Sequence, residues 1–561
     1  MPDKKLIKIL DNIAILLEIK GENPFKSRAY SNAAEIIREN QLDIQKEVQE
    51  GTLSNIKGFG DALVKKMTEY VQIGKISYYE KLIAEIPESL VDITKINSMG
   101  PRKTKLVYEQ LGVKSINELE EVCLNGSLKK LKGFTDKSIE IILNSIAHKK
   151  ASKGLFLQNS VIEYAENLLN QLKSNSQILD AEISGSYRRF AETITDLHIV
   201  VSTYNPFEMC QDFKSTFNAN QIEKHLLILT NENIPVTVDF AKPDEYILKL
   251  HQSTGSDEYT SAFIQLFKEI NSSFSFTSEE ELYNSLGIQF VPPELRESIT
   301  ALEKAKQFKI PRLIENLDLK GMLHVHSNWS DGRNSILEMA LRAKELGFSY
   351  IAMCDHSRSA GYTNGLSIER VKLQHEEIDK LNEENHGIKI LKGIESDILT
   401  DGSLDYPEDV LEKFDIVVVS VHSSFNMSKS QMTKRMIAAL ASPYTTILGH
   451  PTGRLLTSRL PYEVDINEII DAAADYGKII EINANPYRLD LSWENVIYAK
   501  EKEVRIAINP DSHKTSTLED VFIGVKVARK GWLEAKDVVN CLDYENFMNG
   551  IVNGRISRGN S

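Results

Sequence analysis

From about residue 320 the chain alternates short apolar runs with longer stretches in which apolar residues recur every three or four positions. Leu323-His324-Val325-His326, Tyr350-Ile351-Ala352-Met353, Ile388-Lys389-Ile390-Leu391, Ile416-Val417-Val418-Val419, Thr446-Ile447-Leu448, Ile479-Ile480-Glu481-Ile482 and Val504-Arg505-Ile506-Ala507-Ile508 have the length and residue types of strands. Ser335 to Leu346 and Asp465 to Tyr476 have the period of helices. Buried strands alternating with helices predict a parallel sheet, and several such units predict a closed β/α barrel.

The rest of the chain has other patterns. Residues 1–150 show helical periods broken by short glycine turns and predict an all-helical domain. Over 151–297, strand-like segments such as Leu197-His198-Ile199-Val200-Val201 and Pro235-Val236-Thr237-Val238-Asp239-Phe240 mix with helical ones. A charged helix to about Lys309 and then Ile310-Pro311-Arg312 lead to the barrel, with 298–316 assigned as linker and 317–561 as barrel. The expected fold class is multidomain: α, then α+β, then α/β.

At 561 residues and 42 % hydrophobic content, several cores can be buried. No apolar run approaches the ~20 residues of a membrane span. Met1-Pro2-Asp3-Lys4-Lys5 runs straight into an amphipathic pattern, unlike a signal peptide. Cys123, Cys210, Cys354 and Cys541 are far apart, with no C-x-x-C pair, which points to a reducing cytoplasm. The net charge of −14 argues against indiscriminate binding to polyanions. It is uneven, however: residues 1–150 carry 24 Lys+Arg against 21 Asp+Glu, and the remaining 411 carry 42 against 59. Contact with nucleic acid is therefore expected toward the N-terminus.

Candidate chemistry gathers on the barrel. His324 and His326, at i and i+2 of one strand, point the same way, and Asp331 follows. Each later strand also ends near a polar group of the right kind: Asp355 with His356, Glu395, His422, His450, Asn483, and Asp511 with His513. Reactive groups of such barrels sit at the C-terminal ends of strands. Nine candidate ligands (His324, His326, Asp331, His356, Glu395, His422, His450, Asp511 and His513) thus converge on one face. Mixed His and carboxylate donors suit Zn²⁺, Mn²⁺ or Fe²⁺ better than Mg²⁺. Arg454, in Gly449-His450-Pro451-Thr452-Gly453-Arg454, is either a phosphate clamp or an arginine in a surface ion pair.

Three turns in the helical domain share a pattern: Ile56-Lys57-Gly58-Phe59-Gly60, Ile96-Asn97-Ser98-Met99-Gly100 and Leu131-Lys132-Gly133-Phe134-Thr135, each before a helix. Free N–H groups at a helix start suit a phosphate, so Gly58, Gly60, Gly100 and Gly133 are candidate phosphate contacts. The third turn has Thr135 where the other two have glycine. In the middle region Gly185-Ser186 opens a helix with Arg189 nearby, which suits a triphosphate. Asp196 and His198 alternate on one strand, and Asp239 lies on another.

Asp318 to Leu533 closely resembles the polymerase-and-histidinol-phosphatase (PHP) family of phosphoesterases. The resemblance implies three metals: one on His324, His326, Glu395 and Asp511; a second on Glu395, His422 and His450; a third on Asp331, His356 and His513. The turns look like helix-hairpin-helix elements, which grip the DNA backbone without reading sequence. Residues 151–297 look like the nucleotidyltransferase palm of family X DNA polymerases. With the barrel, the match is to the bacterial family X polymerases fused to a PHP nuclease. It implies metal-dependent 3′→5′ exonuclease and DNA 3′-end phosphoesterase activity in DNA repair, on gapped, nicked or 3′-ended DNA, and a monomer.

The palm departs from its family at three points. The middle of three aspartates, which bridges two Mg²⁺ ions, is His198, and one imidazole lone pair cannot bridge. Thr254-Gly255-Ser256 keeps the family's turn at the nucleotide, but Gln252-Ser253 replaces the aromatic pair before it. Ala241 stands where an arginine follows the third aspartate, Asp239. Polymerase activity on dNTPs with Mg²⁺ or Mn²⁺ is thus expected to be weak or lost. The alternative is an active gap-filling polymerase with the barrel as editing exonuclease, His198 being then an adaptation to Mn²⁺. Lys66 matches a Schiff-base lysine of some family members, although Lys65 beside it reads as part of a basic helix face.

Overall fold

Asp3 opens the first helix, Lys4–Lys20, by accepting hydrogen bonds from the N–H groups of Lys5 and Leu6, and Gly21 closes it in the left-handed region at φ 83°. Among the described residues, helices alone build the compact unit Met1–Lys153, over an aliphatic core that includes Leu10, Ile13, Leu17, Ile37, Met67, Leu90, Val107 and Ile142. The computed structural model describes residues 3–554 apart from 40–41, 218–219, 224–225, 230–233 and 269–274.

The second compact unit is Gly154–Ser561. Its first lobe holds a five-stranded sheet in the order Ile178–Ser184, Leu197–Thr203, Val236–Ala241, Leu226–Leu229, Asn220–Glu223. Only Leu197–Thr203 and Val236–Ala241 run parallel. The stretch expected to be linker is largely packed. Ile299–Lys306 is a helix, and Ala301, Leu302, Ala305, Ile310 and Leu313 are buried with Tyr259, Phe263 and Tyr283. Their spacing gives that helix one covered face. Arg296 is fully buried against Glu279 at 2.5 Å, and Glu279 also takes Arg188 at 2.9 Å.

The barrel is a seven-stranded, all-parallel sheet in chain order: Gly321–Val325, Tyr350–Met353, Lys389–Asp397, Ile416–Ser420, Ile447–Leu448, Ile479–Asn483, Ile506–Asn509. Parallel neighbours require crossovers, several of them helices such as Ile336–Glu345 and Ile466–Asp475. Alternation along each strand divides the apolar side chains. Val417, Val419, Ile480, Ile482, Ile506 and Ile508 join the larger cluster, which includes residues of the surrounding helices. Ile416, Val418, Ile479 and Ala507 form a separate interior cluster with Phe547 and Ile551.

Closure is nearly but not wholly that of the expected barrel. The first and last strands meet through one bridge, Val325–Ser512, with the His326 N–H donating to the Ser512 carbonyl at 2.9 Å. The last strand is only four residues long, and Asn540 occupies groups that a ladder would use. Its side chain accepts from the Ile508 N–H at 2.8 Å and donates to the carbonyls of Gly321 at 3.0 Å and Ile508 at 2.8 Å. The two lobes of this unit are joined by ion pairs. Arg454 meets Glu192 at 2.6 Å, Arg529 meets Glu294 at 2.7 Å, and Lys530 meets Glu297.

Replacing Asn540 with alanine strips the buried seam of those partners. At about 1–3 kcal/mol for a buried polar group left unpaired, Asn540→Ala is expected to lower unfolding stability by about 2–4 kcal/mol in a urea titration. A loss below about 0.5 kcal/mol would show that the Val325–Ser512 bridge suffices.

Candidate metal centre

A bulge between Met322 and Val325 re-phases the first barrel strand, and His324 and His326 both reach the mouth of the barrel. Five further strands bring their ligand-type residues to the same end. His326 Nε2 lies 3.1 Å from Asp511 Oδ1, and His356 Nδ1 lies 2.9 Å from Glu395 Oε2. His422 Nε2 and His450 Nε2 lie 3.2 and 3.0 Å from Glu395 Oε1. His513 Nε2 lies 3.3 Å from Asp331 Oδ1.

Three groups have donor atoms close enough together to hold an ion: His326, Asp331, His356 and His513; His324, His326 and Asp511; His356, Glu395 and His422. All nine expected residues are thus drawn together, although His450, beside Glu395, falls outside the three groups. The grouping also differs from the expected one in that His326 and His356 each serve two groups. Close approach shapes the backbone. A Cβ on Gly449 would lie 2.5 Å from Ser420 Oγ, so glycine is required before His450. His450 and Asp511 hold positive φ, 25° and 51°, a cost that surrounding contacts must support.

Electrostatics fit cations. Burial pushes the His324 imidazole down, yet the carboxylates of Glu481, Asp511 and Glu395 outweigh burial and hold it well above its ordinary value. In the same contest His422 rises to about 10 beside Glu395 and Asp397, and His513 to about 9 beside Asp331 and Asp511. His326 goes the other way, to about 3, through burial and the neighbouring His513. Burial would raise Glu395 and Asp511, but the imidazoles keep both well below the usual carboxylate range. Ionised carboxylates in a buried site demand positive charge beside them. His324 Nε2 and Glu395 Oε2 are moreover buried without a hydrogen-bond partner. A nitrogen-and-carboxylate donor set with such orphaned atoms fits divalent transition metals.

The supporting residues were missed by the sequence reading. Glu481 Oε2 lies 2.7 Å from His324 Nδ1 and accepts from Asn509 at 2.9 Å, and its other oxygen takes the His450 N–H at 3.2 Å. Asp397 pairs with His422 Nδ1 and accepts from Ser359 at 2.6 Å. The one available signal was a carboxylate inside an otherwise apolar parallel strand, Ile479-Ile480-Glu481-Ile482. Asp355 is structural instead. It accepts from Ser327 N–H and Oγ, from Ser330 N–H and Oγ, and from Gln374.

Both candidate arginines are engaged within the protein, Arg454 in the ion pair that was one of its two readings. Arg454 points its guanidinium at Glu192 and at the carbonyls of Arg488 and Leu489, so it is a structural tie and not a free clamp. Arg189 is likewise held, by Glu297 at 3.1 Å and the Thr254 carbonyl at 2.7 Å. Sequence spacing cannot show a partner a hundred or more positions away.

In the palm-like lobe, Asp196, His198 and Asp239 do not form an ion-holding group among the described residues. Asp239 is instead paired with Lys249 at 2.7 Å. Burial outweighs Asp239 and Asp196 and lowers the His198 pKa, favouring a neutral imidazole. Gly185, at φ 67°, brings the turn bearing Ser186 against His198. Gly255 is packed so that a Cβ would lie 2.6 Å from Thr260 Oγ1, and Ser256 donates to the Glu297 carbonyl at 2.8 Å.

The three helical turns share one backbone shape. The N–H groups of Phe59, Met99 and Phe134 donate to the carbonyls of Ile56, Ile96 and Leu131, and the residue between is left-handed: Gly58, Ser98 and Gly133. Gly60 and Gly100 begin their helices with no side-chain cap, leaving N–H groups for an outside acceptor. Thr135 caps its own helix by accepting from the Ser138 N–H. The third turn therefore satisfies itself.

The helix-hairpin-helix domain family matches residues 1–76, and the PHP domain family matches residues 322–485. A DNA polymerase/3′-5′ exonuclease PolX of Bacillus subtilis (strain 168) is 36 % identical over 560 residues, covering 96 % of this chain and 97 % of that protein. A probable phosphatase of Thermoanaerobacter sp. (strain X514) is 33 % identical over 218 residues, 37 % of this chain and 84 % of that protein. A probable phosphatase of Caldicellulosiruptor bescii is 32 % identical over 189 residues, 32 % of this chain and 73 % of that protein.

Glu481→Gln keeps the shape of the group behind His324 but removes its charge. Loss of such outer support costs about 10–100-fold in metal affinity, and that drop is expected in a Mn²⁺ titration of the variant. Unchanged affinity would reduce Glu481 to a packing role.

Proposed function

The chain belongs to the family X DNA polymerase/3′-5′ exonucleases of the PolX type, and on that premise we propose that it is a DNA-repair enzyme whose barrel degrades DNA from the 3′ end. The observation that carries this reading is the contrast between two centres on one chain. At the barrel mouth, donors from nine residues come together, eight of them in three ion-holding groups. In the palm-like lobe the corresponding trio forms no such group among the described residues, and Asp239 is neutralised by Lys249.

In the barrel, His324, His326 and Asp511 would hold one divalent ion, Glu395 with His356, His422 and His450 a second, and Asp331 with His513 and His356 a third. Bound Mn²⁺, Zn²⁺ or Fe²⁺ supplies Lewis acidity, which activates water and withdraws charge from a phosphoryl group. Glu395 reaches five imidazoles and sets the spacing of the whole set. Glu481 and Asp397 fix the ring orientations of His324 and His422. Gly60 and Gly100 offer backbone N–H groups to DNA phosphates, which binds a strand without reading its sequence. The substrate is thus DNA with a 3′ end, at a gap or a nick, and the chain acts as a monomer in the cytoplasm. Among the described residues no helix is long and apolar enough to cross a membrane.

Polymerase activity is weak or lost, because a neutral His198 cannot bridge two Mg²⁺ ions and Arg189 is occupied. The second reading, a working gap-filling polymerase edited by the barrel, draws support from the B. subtilis protein, whose name includes both activities and which matches 96 % of this chain.

A labelled primer-template with Mn²⁺, with and without dNTPs, separates the two. Shortening of the primer is expected, lost on chelation and cut at least about 100-fold in Glu395→Ala. Extension that survives Asp511→Ala and disappears in Asp239→Ala would establish the second reading.

A further inference from the structure

Arg454 was one arginine that spacing offered for the substrate's phosphate, and its Nε and Nη2 are engaged by the Arg488 and Leu489 carbonyls and by Glu192. The loop it holds carries another. Asn483 ends the sixth barrel strand, and the turn after it brings Arg488 back toward the mouth. Arg488 Nε lies 3.9 Å from Asp511 Oδ2, beyond hydrogen-bond reach, and its side chain is 21 % exposed. None of its guanidinium N–H groups has a hydrogen-bond partner among the described residues. Asp511 Oδ2 is satisfied without it, by Asn483 at 3.0 Å, and Asp511 Oδ1 meets His326 at 3.1 Å.

The backbone beneath Arg488 is fixed. Arg454 donates to the Arg488 carbonyl at 3.0 Å and also to that of Leu489. Asp490 accepts the N–H groups of Thr452 and Gly453, each at 2.9 Å, which ties this loop to the one bearing His450. The Arg488 N–H closes a turn on Asn485 at 2.7 Å. A half-buried guanidinium with free donors, on a pinned loop beside the ion-holding groups, is preorganised for an oxyanion.

We propose that Arg488, not Arg454, contacts the phosphodiester that the barrel hydrolyses. This rests on the reading of the barrel as a phosphodiesterase. Two donors of the fork meet two non-bridging phosphoryl oxygens. Arg454 is a positioning residue that acts through the Arg488 and Leu489 carbonyls, and Glu192 holds Arg454 from the neighbouring lobe at 2.6 Å.

The test uses the full chain with Mn²⁺, a 3′-labelled oligonucleotide, and inorganic phosphate as a separate calorimetric probe. Arg488→Ala is expected to lower kcat/KM about 100-fold and to weaken phosphate binding about tenfold, with the number of bound Mn²⁺ ions unchanged. Arg488→Lys should recover part of the phosphate affinity, because it keeps the charge and loses the fork. Phosphate affinity within twofold of the unsubstituted chain would overturn the assignment. So would loss of bound Mn²⁺ in Arg488→Ala, since Arg488 would then merely support Asp511. An unsubstituted chain that fails to cut DNA defeats the phosphodiesterase reading instead, and the phosphate titration still reports on Arg488.

Discussion

Buried negative charge governs this molecule. Glu395 and Asp511 are nine-tenths or more covered, remain ionised, and are surrounded by imidazoles drawn from separate strands. Charges in such a setting are tolerated only when paired and hydrogen-bonded, so each carboxylate dictates what stands around it. The all-parallel barrel meets that demand because every strand ends at the same mouth, and one short loop per strand can deliver one donor. Glu481 and Asp397 extend the pattern outward by taking the far nitrogens of His324 and His422. Left-handed backbone at His450 and Asp511 shows how tightly these positions are specified.

The palm-like lobe obeys the same physics with the opposite result. Several of its cations pair with its own carboxylates: Arg188 and Arg296 with Glu279, Arg189 with Glu297, and Lys249 with Asp239. Several of its charged groups face the barrel instead, where Glu192, Glu294 and Glu297 receive Arg454, Arg529 and Lys530. The lobe thus braces the barrel at the loop bearing Arg454 and at the end of the helix Val521–Lys530.

What could be read from the sequence was whatever local spacing determines. His324 and His326 at i and i+2, and ligand-type residues at the end of each apolar run, announced both the parallel barrel and its chemistry. The glycine turns announced their helices, and Thr135 marked the third as different, though its capping of Ser138 shows only in the fold. Residues whose meaning lies in a distant partner were invisible. Asn540 closes a seam with a strand that begins more than two hundred positions earlier, and the choice for Arg454 between clamp and ion pair depends on Glu192 opposite it.

The gathering of donors around Glu395 is tested most directly by counting ions. Equilibrium dialysis of the full chain against Mn²⁺ should give one ion for each of the three groups at the barrel mouth. Glu395→Ala should lose ions in proportion to the groups that share its carboxylate, with the fold retained. Fewer than about one equivalent bound by the unsubstituted chain, or a count that Glu395→Ala leaves unchanged, would contradict a cation cluster at this site.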